Sequence, residues 1–191
     1  MVEPDSRPGD STIRRFNRST IFIASRQRTK KFNLRLLKKI TGVLLAELKV
    51  ENAEIGINLV AAREMALINE TFLKHEGSTD VITFDYGVGQ ASRLSHFKNK
   101  KNGDRRDACP TLNGELFICM DEAILQAKQF KTNWQSEIVR YVVHGVLHLL
   151  GHGDLKPDLR RKMKLEENRL LRGLSRKFSL AQIARRSKIS A

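Results

Sequence analysis

The sequence predicts one α/β domain built from four short strands and about five helices. Two patterns carry this. Short runs rich in β-branched and aromatic residues, bounded by polar or glycine-containing stretches, recur four times along the chain. Between and after them, apolar residues return at the spacing of a helix with one buried face. Length sets the domain count, because 191 residues suffice for one domain with a real core and are too few for two. With 40% hydrophobic and 29% charged residues, the chain has the composition of a folded soluble protein rather than a disordered one.

Residues 1–18 alternate Pro, Gly, Asp, Ser and Arg without a period and read as a disordered basic arm. The domain is expected over 19–173. STIFIAS, Ser19–Ser25, is the first strand, and FNLRLLKKITGVLLAELKV the first helix, with Leu34, Leu37, Ile40, Leu44, Leu45 and Leu48 on one face. EIGINLVA, Glu54–Ala61, follows as a strand and AREMALINETFL as a helix. DVITFDY, Asp80–Tyr86, and GELFICM, Gly114–Met120, complete the strands. Between these last two, the insert 87–113 is rich in Gly, Asn, Lys and Arg, and a connection of that length is functional or disordered.

DEAILQAKQF opens with two acids, which suit the positive end of a helix. In TNWQSEIVRYVVHGVLHLL, Thr132 or Asn133 supplies a cap, Trp134, Ile138, Tyr141, Val142 and Leu149 mark the buried face, and Gly151 ends the helix. A last helix is expected over Asp158–Leu171, then a basic tail over 174–191.

The formal net charge of +14 attracts polyanions, since each Lys or Arg that neutralises a phosphate releases a condensed counterion. Nucleic acid is the expected partner. No run of about 18 apolar residues spans a membrane, and no basic amphipathic anchor stands out. The first residues lack the apolar core of a signal peptide, and two cysteines, Cys109 in a hydrophilic stretch and Cys119 at the end of an apolar one, make no disulfide framework. A cytoplasmic location and a packed Cys119 are expected.

HGVLHLLGHGD, His144–Asp154, gathers three of the five histidines. His144 and His148 lie four residues apart, so on a helix their side chains share one face roughly 6 Å apart, a spacing that suits two imidazoles converging on one zinc ion. The third ligand must come from beyond the helix end, after Gly151 turns the chain. Asp154 is favoured, because three residues past the glycine the chain has room to return, with His152 in reserve. Two histidines and one aspartate leave the fourth tetrahedral position open, as in catalytic rather than structural zinc sites. A protease of the HExxH kind needs glutamate beside its first histidine, and here that position is Gly145.

HGVLHLLGHGD resembles the signature of the YbeY family of ribosomal-RNA maturation endoribonucleases, of the form His-Gly-x-Leu-His-Leu-x-Gly followed by a third metal ligand. STDVITFDYG and GELFIC are similar to that family's strand elements, in the same order and spacing. The resemblance implies a small mixed four-stranded sheet flanked by helices, with one zinc per chain held by His144, His148 and Asp154 at the mouth of a basic cleft. It also implies endonucleolytic cleavage near the 3′ end of small-subunit ribosomal RNA, and partnership with the small subunit and assembly factors such as an assembly GTPase.

Two positions depart from the family pattern. Its third ligand is usually histidine, where this chain has Asp154, and an arginine is common where this chain has Leu73. Lys74 and His75 are the candidates to replace the phosphate contact of that arginine, and His75, Glu115 and Asp80 the candidates for general base. Lys98, Lys100, Lys101, Arg105 and Arg106 of the insert are the candidates to grip RNA. Two rivals stand beside this reading: a non-catalytic, metal-binding ribosome-assembly factor, and a zinc hydrolase of a small molecule or peptide, against which the charge and the absent glutamate argue.

Overall fold

The computed structural model describes residues 19–87 and 111–185. Its elements run β1 (Thr20–Ser25), α1 (Leu34–Glu47), β2 (Asn52–Val60), α2 (Ala62–Ile68) with a π-helical turn (Asn69–Leu73), β3 (Val81–Asp85), β4 (Thr111–Cys119), α3 (Met120–Gln129), α4 (Trp134–Leu149), α5 (Pro157–Lys177) and a 3-10 turn (Leu180–Ile183). The sheet order is β1-β2-β4-β3. β1 and β4 flank β2 in parallel, and β3 closes the edge antiparallel to β4. The four-stranded mixed sheet and five helices expected from the sequence are therefore present. None of the described helices is long and apolar enough to cross a membrane.

Alternation along the strands divides the sheet into two unlike faces. Ile21 of β1, Ala53, Ile55, Ile57 and Leu59 of β2, and Leu112, Leu116 and Ile118 of β4 are buried in the main core. α1 covers them with Leu37, Ile40, Leu44 and Leu45, and starts at Asn33, whose side chain accepts from the Leu36 N–H at 3.1 Å. The opposite face is only partly closed. α2 packs Met65 against Val60, Ile82 and Cys119 there, while Phe22 and Tyr86 remain exposed.

α4 runs close against the sheet, and Gly145 is what allows it. A Cβ at that position would lie 2.5 Å from Leu116 Cδ2 and 3.2 Å from Thr83 Oγ1. Asn133 is the cap, accepting from the Ser136 N–H at 2.8 Å. Gly114 is confined in the same contact, since its Cβ would meet the Phe84 carbonyl at 2.5 Å and Leu149 Cδ2 at 2.6 Å. Both glycines leave room for α4 to lie against the sheet, Gly145 for the Leu116 and Thr83 side chains and Gly114 for the Phe84 carbonyl and Leu149.

Three expectations need correction. β4 begins at Thr111 rather than Gly114, because Asn52, Ala53 and Glu54 of β2 offer ladder partners to residues 111–113. The last helix continues past Leu171 to Lys177, because Leu170 and Leu174 extend one buried stripe. Residues 174–183 are consequently not a tail. Leu180 and Ile183 enter the core, and backbone bonds from Asn33 to Ile183 and from Arg185 to Lys31 stitch this segment to the residues before α1. The arm 1–18 and most of the insert, with Cys109, lie outside the described residues.

Candidate metal centre

α4 carries His144 and His148 one turn apart, beside the face that Gly145 presses to the sheet. Their Nε2 atoms approach to 2.9 Å. The helix stops at Leu149, and Gly151, at φ 86°, reverses the chain. The N–H groups of Gly151 and His152 donate to the carbonyls of His148 and Leu147, so the helix end is satisfied. Asp154 thereby returns to the histidines, its Oδ2 3.9 Å from His148 Nε2. One donor atom from each of His144, His148 and Asp154 lies within 4.8 Å of the others. His152, the reserve ligand, is not in this group. It contributes its backbone carbonyl instead, which accepts from His148 Nδ1 at 2.9 Å.

Both imidazoles are held at Nδ1, which leaves Nε2 as the atom that can face a metal. A carbonyl can only accept, so His148 carries its proton on Nδ1 and turns an unprotonated Nε2 outward. His144 Nδ1 meets Glu167 Oε1 at 2.5 Å, which fixes the same tautomer. At 2.9 Å the two Nε2 atoms share either a proton, carried by His144, or a cation that displaces it. A tetrahedral zinc with bonds of about 2.0–2.1 Å would separate two nitrogens by roughly 3.3 Å, so a small opening of the rings suffices. The donor set fits zinc.

Electrostatics sharpen the pair. Burial pulls the His144 pKa down, but the hydrogen bond and charge of Glu167, with Asp80 and Asp154, outweigh it and leave the pKa raised. In His148 burial dominates, the neighbouring His144 adds to it, and the pKa is lowered. His148 is thus the readily neutral ligand, and His144 the one that metal must win from a proton.

Glu167 is buried on α5 and belongs to a chain of polar groups. Thr132 donates to Glu137 at 2.6 Å, and Arg140 reaches Glu137 at 3.3 Å and Glu167 at 3.8 Å. Arg140 also donates to Asn168 at 3.0 Å. These residues border a cavity of about 490 Å³ that opens beside His144 and Asp154. Sequence reasoning missed Glu167, Arg140 and Glu137. A signal existed: Glu137, Tyr141, His144 and His148 fall on one helical stripe, where an acid among buried apolar residues asks for a partner.

The other nominated residues are dispersed. Asp80 lines the cavity with His144 and begins β3, its Oδ1 accepting from the Val81 N–H at 2.9 Å. Glu115 does not share the site: Leu116 beside it faces α4, so Glu115 points to the opposite face, where Tyr86 donates to it at 3.3 Å. Lys74 and His75 line a separate open recess with Glu70, Glu76 and Gly77. The Lys74 ammonium folds back to the Thr71 carbonyl at 3.0 Å, and Leu73 is 46% exposed at the end of the π-helical turn, so neither supplies a cation to the metal group. Lys98, Lys100, Lys101, Arg105 and Arg106 lie outside the described residues.

A mixed α/β domain that aims two histidines of one helix and a following carboxylate at one point has, among the described residues, one group able to hold a metal ion. Comparison with known families narrows the class: the model of the family described as Endoribonuclease YbeY matches residues 22–175, and the chain belongs to that family. An endoribonuclease YbeY from Chlorobium phaeovibrioides is 32% identical over 71% of this chain and 78% of its own length. One from Parabacteroides distasonis is 36% identical over 54% of this chain and 59% of its own. The solution structure of TM1509 from Thermotoga maritima superposes with a TM-score of 0.50 at 19% identity, covering 90% of this chain and 99% of that one, a likeness of fold.

Proposed function

We propose that this protein is a zinc-dependent endoribonuclease of ribosomal-RNA maturation, holding one zinc per chain on His144, His148 and Asp154. It acts on the 3′ end of the small-subunit precursor in the cytoplasm, with the small subunit and its assembly or quality-control factors as partners. One observation supports this above the rest: both histidines are locked by Glu167 and the His152 carbonyl into the tautomer that offers Nε2 toward Asp154. Family membership gives the RNA substrate.

A zinc ion there would supply Lewis acidity toward a phosphoryl oxygen and lower the pKa of water. The chain does the rest. Arg160 donates to the Asp154 carbonyl at 3.1 Å and so steadies the ligand-bearing loop. Lys164, one turn further along α5, borders the same cavity without a partner among the described residues and is placed to receive a phosphate oxygen. The basic residues Lys98, Lys100, Lys101, Arg105 and Arg106 extend contact along the RNA backbone.

One observation favours a second reading, a non-catalytic metal-binding assembly factor: exposed Leu73 stands where the family commonly has arginine, and neither Lys74 nor His75, in a separate recess, replaces it at the metal group. Zinc content by elemental analysis, measured beside cleavage of precursor small-subunit RNA in pre-ribosomal particles, separates the two. Wild type should carry about one zinc and cut, and His148→Ala and Asp154→Ala should lose both together. Zinc without cutting, with particle binding kept in all three proteins, refutes the nuclease.

A further inference from the structure

The cavity beside the metal centre offers the RNA backbone little beyond Lys164. In a chain of formal net charge +14, its wall carries Asp80, Glu137, Asp154 and Glu167 against Arg140, Arg160 and Lys164. Arg140 is already shared between Glu137 and Glu167, so it has little left for a phosphate. What remains unspent is hydrogen-bonding capacity of another kind. The Asp80 carboxylate uses Oδ1 on Thr79 and Val81, and its Oδ2 accepts no hydrogen bond among the described residues. Gln126, on the facing helix α3, makes no side-chain hydrogen bond among the described residues. Tyr141, only 3% exposed, forms part of the wall and its hydroxyl has no hydrogen-bond partner among the described residues. At the rim stands Phe130, 61% exposed, an aromatic face with no ring stacked on it among the described residues.

We propose that this cavity is a nucleobase pocket, which takes one unpaired base bearing an exocyclic amine, cytosine, adenine or guanine in preference to uracil, next to the phosphodiester at the metal centre. The identity of the occupant rests on the nuclease reading. An acceptor-only carboxylate oxygen matches an amine and is repelled by the carbonyl that uracil presents at the same place. Gln126 can adjust to either neighbour on the base edge. Phe130 supplies the stacking plane that a base taken out of its helix requires. A volume of about 490 Å³ is of the size that holds one small ligand.

The test uses the full zinc-loaded chain with methyl-labelled methionine, because Met163 forms part of the cavity wall and reports occupancy through its NMR signal. Cytidine 5′-monophosphate, uridine 5′-monophosphate and ribose 5-phosphate are titrated separately. Cytidine monophosphate should bind about tenfold more tightly than uridine monophosphate, the worth of one hydrogen bond to a charged group. Asp80→Asn keeps an oxygen for the Val81 N–H and presents an N–H where Oδ2 was, so it should invert the order. Gln126→Leu, on the half-buried surface of α3, should narrow the preference, and it stands as the second variant if Asp80→Asn does not fold.

Equal affinities in wild type, or binding that leaves Met163 unmoved, overturn the pocket. Cytidine and uridine titrated into the metal-free chain test base preference without the metal, and equal affinities there overturn it too. A zinc-loaded chain that leaves precursor small-subunit RNA uncut instead overturns the nuclease reading, whatever the bases show.

Discussion

Glu167→Gln isolates what the buried carboxylate contributes to the metal centre. Glutamine keeps an oxygen within reach of His144 Nδ1, so the tautomer and ring position survive while the charge goes. The contact is short, 2.5 Å, and the residue is 8% exposed, so water does not compensate the loss. A hydrogen bond to an ionised group contributes about 1.5–3 kcal/mol and a neutral one about 0.5–1.5 kcal/mol. The difference of about 1–1.5 kcal/mol corresponds to a roughly tenfold loss of zinc affinity. Glu167→Ala also frees the ring, and should cost nearer to a hundredfold, the upper range for such outer partners. Competition with a chromogenic chelator at pH 8 measures both. The pH dependence has a definite sign. Glu167 raises the His144 pKa, so protons compete with zinc at higher pH in wild type than in Glu167→Gln, and the gap between them should narrow as pH falls through the histidine range. Wild-type affinity in Glu167→Gln and Glu167→Ala at pH 8 would show that the carboxylate does not support the ligand.

Further tests address the frame. Gly145→Ala puts a methyl 2.5 Å from Leu116 Cδ2, and overpacking of about 1–3 kcal/mol should exceed the helix propensity gained, about 1 kcal/mol, lowering the urea midpoint; an unchanged or raised midpoint contradicts the close approach. Ile183→Ala should destabilise by about 2–5 kcal/mol in the same assay, since Ile183 is fully buried, whereas a surface tail would show no change. In a Cys109→Ser background, Cys119 should ignore thiol reagents until the chain unfolds, because burial raises its pKa and removes both thiolate and access; rapid labelling of the native protein would disprove that packing.

The parts of the site that sequence made legible are those that one helix contains. His144, His148 and the turn at Gly151 follow from period and glycine chemistry, and Asp154 follows from the length needed to return. What depended on pairing between distant segments was not legible. Residues 111–113 read as loop, since Asn113 and the preceding Pro110 favour turns, yet β2 supplies a ladder that overrides propensity. Gly173 suggests a helix end, but the stripe of Leu170 and Leu174 carries α5 through it. Glu115 shows a subtler limit. Alternation tells that it opposes Leu116, while only the docking of α4 tells which face holds the histidines. Glu167 was hidden for the same reason, its role existing only where α5 crosses α4.

The β3–β4 pair has a consequence for how this chain tolerates change. Val81 pairs with Ile118 at one end of the ladder and Asp85 with Gly114 at the other. Asp80 adjoins the first end, beside His144, and residues 86–110 connect across the second. Lengthening that connection raises the entropy of closing it only logarithmically, about 0.6 kcal/mol per doubling. The strand register that places Asp80 is set by the ladder and not by the loop. Changes in the length and charge of this segment are therefore expected to leave Asp80 and the metal-ligand group where they are.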